Sequence, residues 1–270
     1  EPDSTYEDRG VIEVGGVSIY NWDRRTYGVT SMTDLLGKSL NVGAATLSLQ
    51  LGPTRFYQGM EAFGFGQPTG IDLAAEASGT LKKPGSSDWF ESDLGVNAFG
   101  QGMATTPIQL LNAIASVANG GLLMQPRLVS QQINPDGTVV TFEPTVIARS
   151  ISAETAREVN QMLLTSLERE ASPALVPGYS IAGKTGTAQI PVPGGYDPDQ
   201  TIHTFVGYGP VDDPQFIVLI KLDKPQGYSF GSQTAAPTFG YLASRLVVLM
   251  EIPPDNIRLA SAAGQGERAP

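Results

Sequence analysis

Lys184-Thr185-Gly186-Thr187 places a cation, two hydroxyls and a glycine in four consecutive residues, within a stretch from Ile181 to Ile190 that reads as a β-strand. Successive side chains of a strand face opposite ways, so Lys184 and Gly186 are expected on one face and Thr185 and Thr187 on the other unless a twist re-aims them. A glycine at that point lets a ligand lie against the strand. Earlier in the chain, Ser39 and Asn41 stand two apart at a break between two expected helices. A hydroxyl there can relay a proton, and an amide offers both a donor and an acceptor. Such groups suit acyl transfer through a serine. The plainer alternatives are a surface lysine on an edge strand, and a serine and asparagine that cap the helix beginning at Val42.

Composition narrows the chemistry further. The 270 residues contain no cysteine and a single histidine, His203. Thiol nucleophiles, disulfides and Cys-ligated zinc are therefore excluded, and a histidine-based triad or multi-histidine metal site is disfavoured. No cofactor or metal is implied. The formal net charge of -10 argues against a nucleic-acid surface. No apolar run reaches the roughly 18 residues that span a bilayer.

The elements that must position these groups follow from caps and periodicity. Ser31-Met32-Thr33-Asp34 opens a helix as a capping box and Gly37 is near its end. Val42, Ala45 and Leu49 repeat at helical spacing up to Gly52-Pro53, and residues 59 to 100 form a Gly-rich excursion without a long periodic segment. Thr106-Pro107-Ile108-Gln109 starts another helix, with Ile108, Leu111, Ala115 and Ala118 as its face and Asn119-Gly120-Gly121 as its stop. Residues 122 to 147 read as a hairpin turning at Asn134-Pro135-Asp136-Gly137. Ser152 opens a long helix carrying Val159, Met162, Leu163 and Leu167. Later strands are expected at 204–208 and 216–222, the second nearly continuous in apolar residues as for a central strand. Pro237 opens a last helix with Phe239, Leu242, Ala243, Leu246, Val247 and Met250 inward, and residues 253–270 read as a disordered tail. The fold class is α/β, an antiparallel sheet flanked by helices with an α-rich subdomain.

The words around the two motifs resemble one family. Gly15-Gly16 with Asn21-Trp22-Asp23-Arg24, then Phe63-Gly64-Phe65-Gly66-Gln67 with Thr69-Gly70-Ile71-Asp72-Leu73 and Glu76-Ala77-Ser78-Gly79, are similar to class B penicillin-binding proteins. So are Phe99-Gly100-Gln101-Gly102, Thr106 to Leu111, Asn119-Gly120-Gly121, Phe205-Val206-Gly207-Tyr208 and Ala235-Ala236-Pro237-Thr238-Phe239, in the same order. These enzymes carry three motifs of the type Ser-x-x-Lys, Ser-Asp-Asn and Lys-Thr-Gly. Here Ser39-Leu40-Asn41 and Lys184-Thr185-Gly186 match the second and third, and no Ser-x-x-Lys is found.

The resemblance implies a penicillin-binding-protein and serine β-lactamase-like fold over residues 1–252 and D,D-transpeptidase activity on peptidoglycan stem peptides ending in D-Ala-D-Ala. It also implies β-lactams as inhibitors, other cell-wall synthesis proteins as partners, and an extracytoplasmic location with the membrane anchor upstream. In the family the lysine matching Lys184 reaches the serine matching Ser39. The threonines matching Thr185 and Thr187 help hold the substrate carboxylate, and the N–H of Thr187 forms half of an oxyanion hole. Alternatives are a non-catalytic scaffold protein of the cell-wall machinery, or a penicillin-recognising β-lactamase or sensor.

Glu1-Pro2-Asp3-Ser4-Thr5-Tyr6 is similar to the family's nucleophile segment, but Glu7 stands where its lysine belongs, and an acid cannot replace that base. This segment better matches a Pro-Asp-Ser-Thr-Tyr turn found after the nucleophile helix. The chain is therefore expected to begin downstream of the catalytic serine and not to turn over alone. Asp72, Glu76, Glu91 and Asp93 are acid/base candidates by type alone and read as solvated loop charges. His203, next to the Lys184–Thr187 motif, could touch ligand but reads as an ordinary surface histidine. Tyr196, Tyr208 and Tyr228 read as packing or loop residues, Trp22 and Trp89 as anchors of loops on the core, and residues 191–198 as a movable flap.

Overall fold

The structure is a computed structural model, and it describes residues 1–169 and 173–266. The chain divides into two compact units, Glu1–Leu35 with Ser39–Val159, and Leu36–Lys38 with Asn160–Pro270.

The first unit begins with β1 (Thr5–Asp8), β2 (Val11–Val14), β3 (Val17–Tyr20) and β4 (Gly28–Ser31). β1 pairs with β4 and β2 with β3, both antiparallel. A turn closed by Ser4 N–H to Glu1 O at 3.0 Å precedes β1, as expected for the Pro-Asp-Ser-Thr stretch. α1 (Met32–Lys38) starts under Ser31, whose Oγ accepts from Asp34 N–H at 3.1 Å. α2 (Asn41–Leu51) and α3 (Pro53–Ala62) follow, with Gly52 between them at φ 78°. α3 went unnoticed in the sequence because its only buried side chain is Tyr57. That tyrosine gathers the Gly-rich excursion: its OH accepts from Trp89 Nε1 and from Asn97 Nδ2, both at 2.9 Å.

α4 (Glu91–Asn97) is capped by Asp93, which accepts from Phe90 N–H at 2.9 Å. α5 (Pro107–Ala118) has the expected box, Thr106 Oγ1 accepting from Gln109 N–H and Gln109 Oε1 from Thr106 N–H. Its inward face differs from the apolar count. Gln109, Ala113, Ser116 and Val117 are buried, because Gln109 also donates to Gln67 O at 2.7 Å and Ser78 O at 2.8 Å. One amide thus stitches two loops to the helix start. β5 (Leu122–Met124) pairs with β8 (Val146–Arg149), and β6 (Gln131–Ile133) with β7 (Val139–Thr141) around the Asn134–Gly137 turn. α6 (Ala153–Arg169) begins at Ser152, whose Oγ accepts from Thr155 N–H. Residues 160–169 of α6 and 36–38 of α1 group with the second unit.

The second unit is built on an antiparallel sheet ordered β11-β10-β9, from β9 (Ala182–Val192), β10 (Gly195–Gly209) and β11 (Phe216–Asp223). The apolar run 216–222 was expected at the centre, but β10 takes that place. Residues 205 to 209 of β10 are buried in succession, whereas β11 turns Phe216, Val218 and Ile220 onto the core and leaves its other face half-exposed. α7 (Ala235–Leu249) packs on β10 and β11 through Ala236, Phe239, Ala243 and Val247. Phe239 meets Phe205 with ring centroids 4.8 Å apart. Leu242 and Met250, counted inward from sequence, are 37% and 44% exposed. The expected tail is corrected for part of its length: α8 covers Asp255–Gly266. Its Arg258 clamps Asp212 through two nitrogens, at 2.7 and 2.8 Å, and also meets Asp255. Residues 267–270 lie outside the described residues.

Candidate active site

The six residues singled out by sequence fall into two groups, one on each unit. Ser39 and Asn41 belong to the first, Lys184 to Thr187 to the second.

Ser39 is exposed and sits at φ 54°, a left-handed conformation that non-glycine residues seldom adopt. It breaks the helical path between α1 and α2 at the point the sequence suggested. Neither polar residue occupies the N-cap position of α2. Leu40, fully buried, is the N-cap of α2 and supplies no side-chain cap. Asn41 is the first helical residue, and its Nδ2 donates to Tyr20 O at 3.0 Å. That bond fixes the amide plane against the end of β3.

Lys184, Thr185, Gly186 and Thr187 lie on β9 opposite Val206, Phe205, Thr204 and His203 of β10. β9 is an edge of its sheet among the described residues, so its outer N–H and C=O groups face away from the ladder. Lys184 is half-buried, and its Nζ bends along the strand to Thr185, 3.3 Å from the carbonyl oxygen and 3.5 Å from Oγ1. Strict alternation of faces is therefore broken at the lysine tip. A Cβ on Gly186 would fall 2.4 Å from Thr204 Oγ1, so any larger residue there would force the cross-strand threonine to shift. Thr187 Oγ1 accepts from Gly231 N–H at 3.1 Å, tying β9 to a 3-10 turn at Gly231–Gln233.

His203 is a correction to the sequence reading. It is fully buried, bracketed by Thr201 Oγ1 and Thr234 Oγ1, each 2.9 Å from a ring nitrogen. Burial lowers its pKa from the ordinary histidine value, which favours the neutral ring. It lies just before the strand expected at 204–208, and the structure extends that strand back through it. The flap expectation also changes. Strands β9 and β10 continue outward, pairing Pro191 with Tyr196 and Val192 with Gly195, with a register shift between Tyr196 and Thr201.

Other groups are structural. Glu76 accepts from the N–H groups of Thr69 and Gly70 and from Thr69 Oγ1, and these bonds lower its pKa. Asp72 accepts from Leu128 and Val129 N–H with the same consequence. Both carboxylates pin loops, Asp72 while remaining exposed as the sequence suggested, and buried Asp93 is a helix cap. Tyr208 is fully buried and donates to Asn160 Oδ1. Trp89 anchors its loop, whereas Trp22 is 55% exposed. The described residues include no group of three metal-ligating side chains and no helix long and apolar enough to cross a membrane.

The family model for the penicillin-binding protein transpeptidase domain matches residues 1–243. The chain belongs to this family. Its similarities lie among the class B members. It is 38% identical over 265 residues to the penicillin-binding protein PbpB of Mycolicibacterium smegmatis, an alignment that covers 93% of this chain and 40% of that protein. With stage V sporulation protein D of Bacillus subtilis the identity is 35%, over 87% of this chain and 37% of the relative. The crystal structure of penicillin-binding protein 3 from Mycobacterium tuberculosis in complex with aztreonam superposes with a TM-score of 0.84 at 35% identity, covering 94% of this chain and 59% of that one. The penicillin-binding fold is thereby established, and the chain spans about two fifths of the length of these curated relatives.

Proposed function

We propose that this class B transpeptidase domain serves a peptidoglycan D,D-transpeptidase, with Ser39, Asn41 and Lys184 converging on a nucleophilic serine supplied upstream of residue 1. The observation that carries the reading is the Lys184–Thr187 motif on the edge of β9, in a chain that matches the family along residues 1–243. In the first step the serine oxygen bonds to the carbonyl carbon of the penultimate D-Ala. The peptide C–N bond breaks, and terminal D-Ala leaves as an amine carrying the serine's proton. An amine of a second stem peptide then attacks the ester, forming the cross-link and returning a proton to the serine.

Within that scheme Lys184 and Ser39 pass the proton, and Asn41 orients the substrate amide. Thr185 and Thr187 hold the terminal carboxylate, and the Thr187 N–H stabilises the oxyanion, a contribution of about 3 to 4 kcal/mol for a typical donor. Gly186 presents no side chain that could block a peptide lying against the strand. A β-lactam acylates the same serine as a mimic of D-Ala-D-Ala, and the domain works at the extracytoplasmic face of the membrane.

Labelled penicillin tests the reading. The 270-residue chain is expected to take no covalent label, and a chain extended upstream to include Ser-x-x-Lys is expected to be labelled stoichiometrically. A stable label on the short chain would point to Ser4, and no label on the extended one would refute the transpeptidase reading.

A further inference from the structure

Asp8 is fully buried at the end of β1, and donors surround its carboxylate. Tyr6 OH donates to it at 2.8 Å, Gly10 N–H at 2.9 Å, and Asn21 Nδ2 to its two oxygens at 2.9 and 3.1 Å. Asn21 is itself 2% exposed, and its Nδ2 also donates to Arg25 O at 3.0 Å. With both N–H groups so directed, Oδ1 faces α2 and accepts from Val42 N–H at 3.2 Å. Turning the amide over would set its oxygen against a carboxylate and a carbonyl, and its N–H groups against an N–H. Asp8 therefore fixes which end of the Asn21 amide α2 meets.

The consequence falls on the second motif. The first N–H groups of a helix need acceptors, and Leu40 at the N-cap of α2 offers no side-chain oxygen. Asn21 supplies one from 21 residues away. The adjacent Tyr20 carbonyl holds the Asn41 side chain. One corner of the chain, Tyr20-Asn21, thus clamps both the start of α2 and the asparagine of the motif.

We propose that Asn21, locked by Asp8, is a positioning residue for acyl transfer: it fixes the Leu40–Val42 backbone and so the directions of Ser39 and Asn41. This rests on the transpeptidase reading. In the full-length parent, Asn21→Ala is expected to lower the first-order rate constant of acylation by a labelled penicillin about 100-fold, the scale of a misplaced reacting group, with the pre-covalent dissociation constant changed less than about threefold and the final label still stoichiometric. A reduced stoichiometry with an unchanged rate constant would mark a residue that serves folding alone and overturn the proposal, as would an unchanged rate at full stoichiometry. If Asn21→Ala does not fold, Asp8→Asn, of equal size, is expected to slow acylation about tenfold, and an unchanged rate constant refutes the proposal.

A second measurement separates this proposal from the one beneath it. In the 270-residue chain, Asn21→Ala is expected to speed amide exchange at Val42 about tenfold, with no change at Lys184–Thr187. Unchanged exchange at Val42 overturns the positioning role even where the parent takes no label, a result that would count against the transpeptidase reading instead.

Discussion

The two motifs are held in opposite ways. Lys184–Thr187 is presented by a ladder: eight consecutive residue pairs from Ala182/Tyr208 to Gln189/Thr201 set its register, and α7 backs the sheet. Ser39-Leu40-Asn41 has no ladder. It sits at a helical break with Ser39 at φ 54°. Leu40 N–H bonds back to Leu35 O, and the bonds to Asn41 Nδ2 and Val42 N–H come from Tyr20 and Asn21, 21 residues away. A strand presents a motif through backbone register, so damage there comes from groups that spoil the ladder. A break depends on a few polar side chains, so damage there can come from residues outside the motif.

The largest effect should fall on the ladder-borne cation. Lys184→Ala in the extended chain should slow penicillin acylation about 10³-fold, the scale of a lost acid–base group, read by stopped-flow labelling. A loss below about tenfold would remove Lys184 from the proton path.

Gly186→Ala sharpens the contrast through stability. The added Cβ meets Thr204 Oγ1 at 2.4 Å, so thermal unfolding should show a loss of about 1–3 kcal/mol, the usual cost of overpacking. Thr204→Ala should relieve most of that loss in the double variant. If it does not, the glycine answers to backbone conformation and not to its cross-strand neighbour.

His203 pins the back of the same ladder to the turn at Thr234. Its pKa is lowered in the fold, so its contribution is fully present above the unfolded value of about 6.5 and is lost as pH falls from there through the folded value. Melting temperature should therefore fall more steeply below pH 6.5 for the unmodified chain than for His203→Gln. Parallel curves would mean that the buried ring titrates as it does in water. The smallest effect is expected at Glu7→Lys, which completes a Ser-x-x-Lys lookalike on β1. Glu7 is exposed beside Arg9, so stability should shift within about 0.5 kcal/mol and no penicillin label should appear.

The sequence made local signals legible where the chemistry is local. Ser31 and Thr106 cap α1 and α5 as their neighbours suggested, and the helical break at Ser39 was visible from flanking periodicity. It failed where burial goes to polar residues. Gln109 and Ser116 turn inward on α5, and His203 lies at the centre of a sheet. Gln109 and His203 take partners far along the chain, at Gln67, Ser78 and Thr234, whereas Ser116 is satisfied locally by Ala113 O. Strand order was misjudged for a related reason. An apolar run such as 216–222 reports one well-covered face, whereas the central place of β10 comes from pairing on both sides. Of the candidate site, the strand half was readable as a motif, while the bonds from Tyr20 and Asn21 that hold the helical half depend on tertiary structure.

The most direct test of the account is the distance between the two motifs in a chain extended upstream to include a Ser-x-x-Lys. A crystal structure of that extended chain acylated by a penicillin should place Ser39 Oγ within about 3 to 4 Å of Lys184 Nζ, the reach of a proton-passing hydrogen bond. A separation of more than about a dozen ångströms, beyond what side-chain rotation can close, would contradict the shared site.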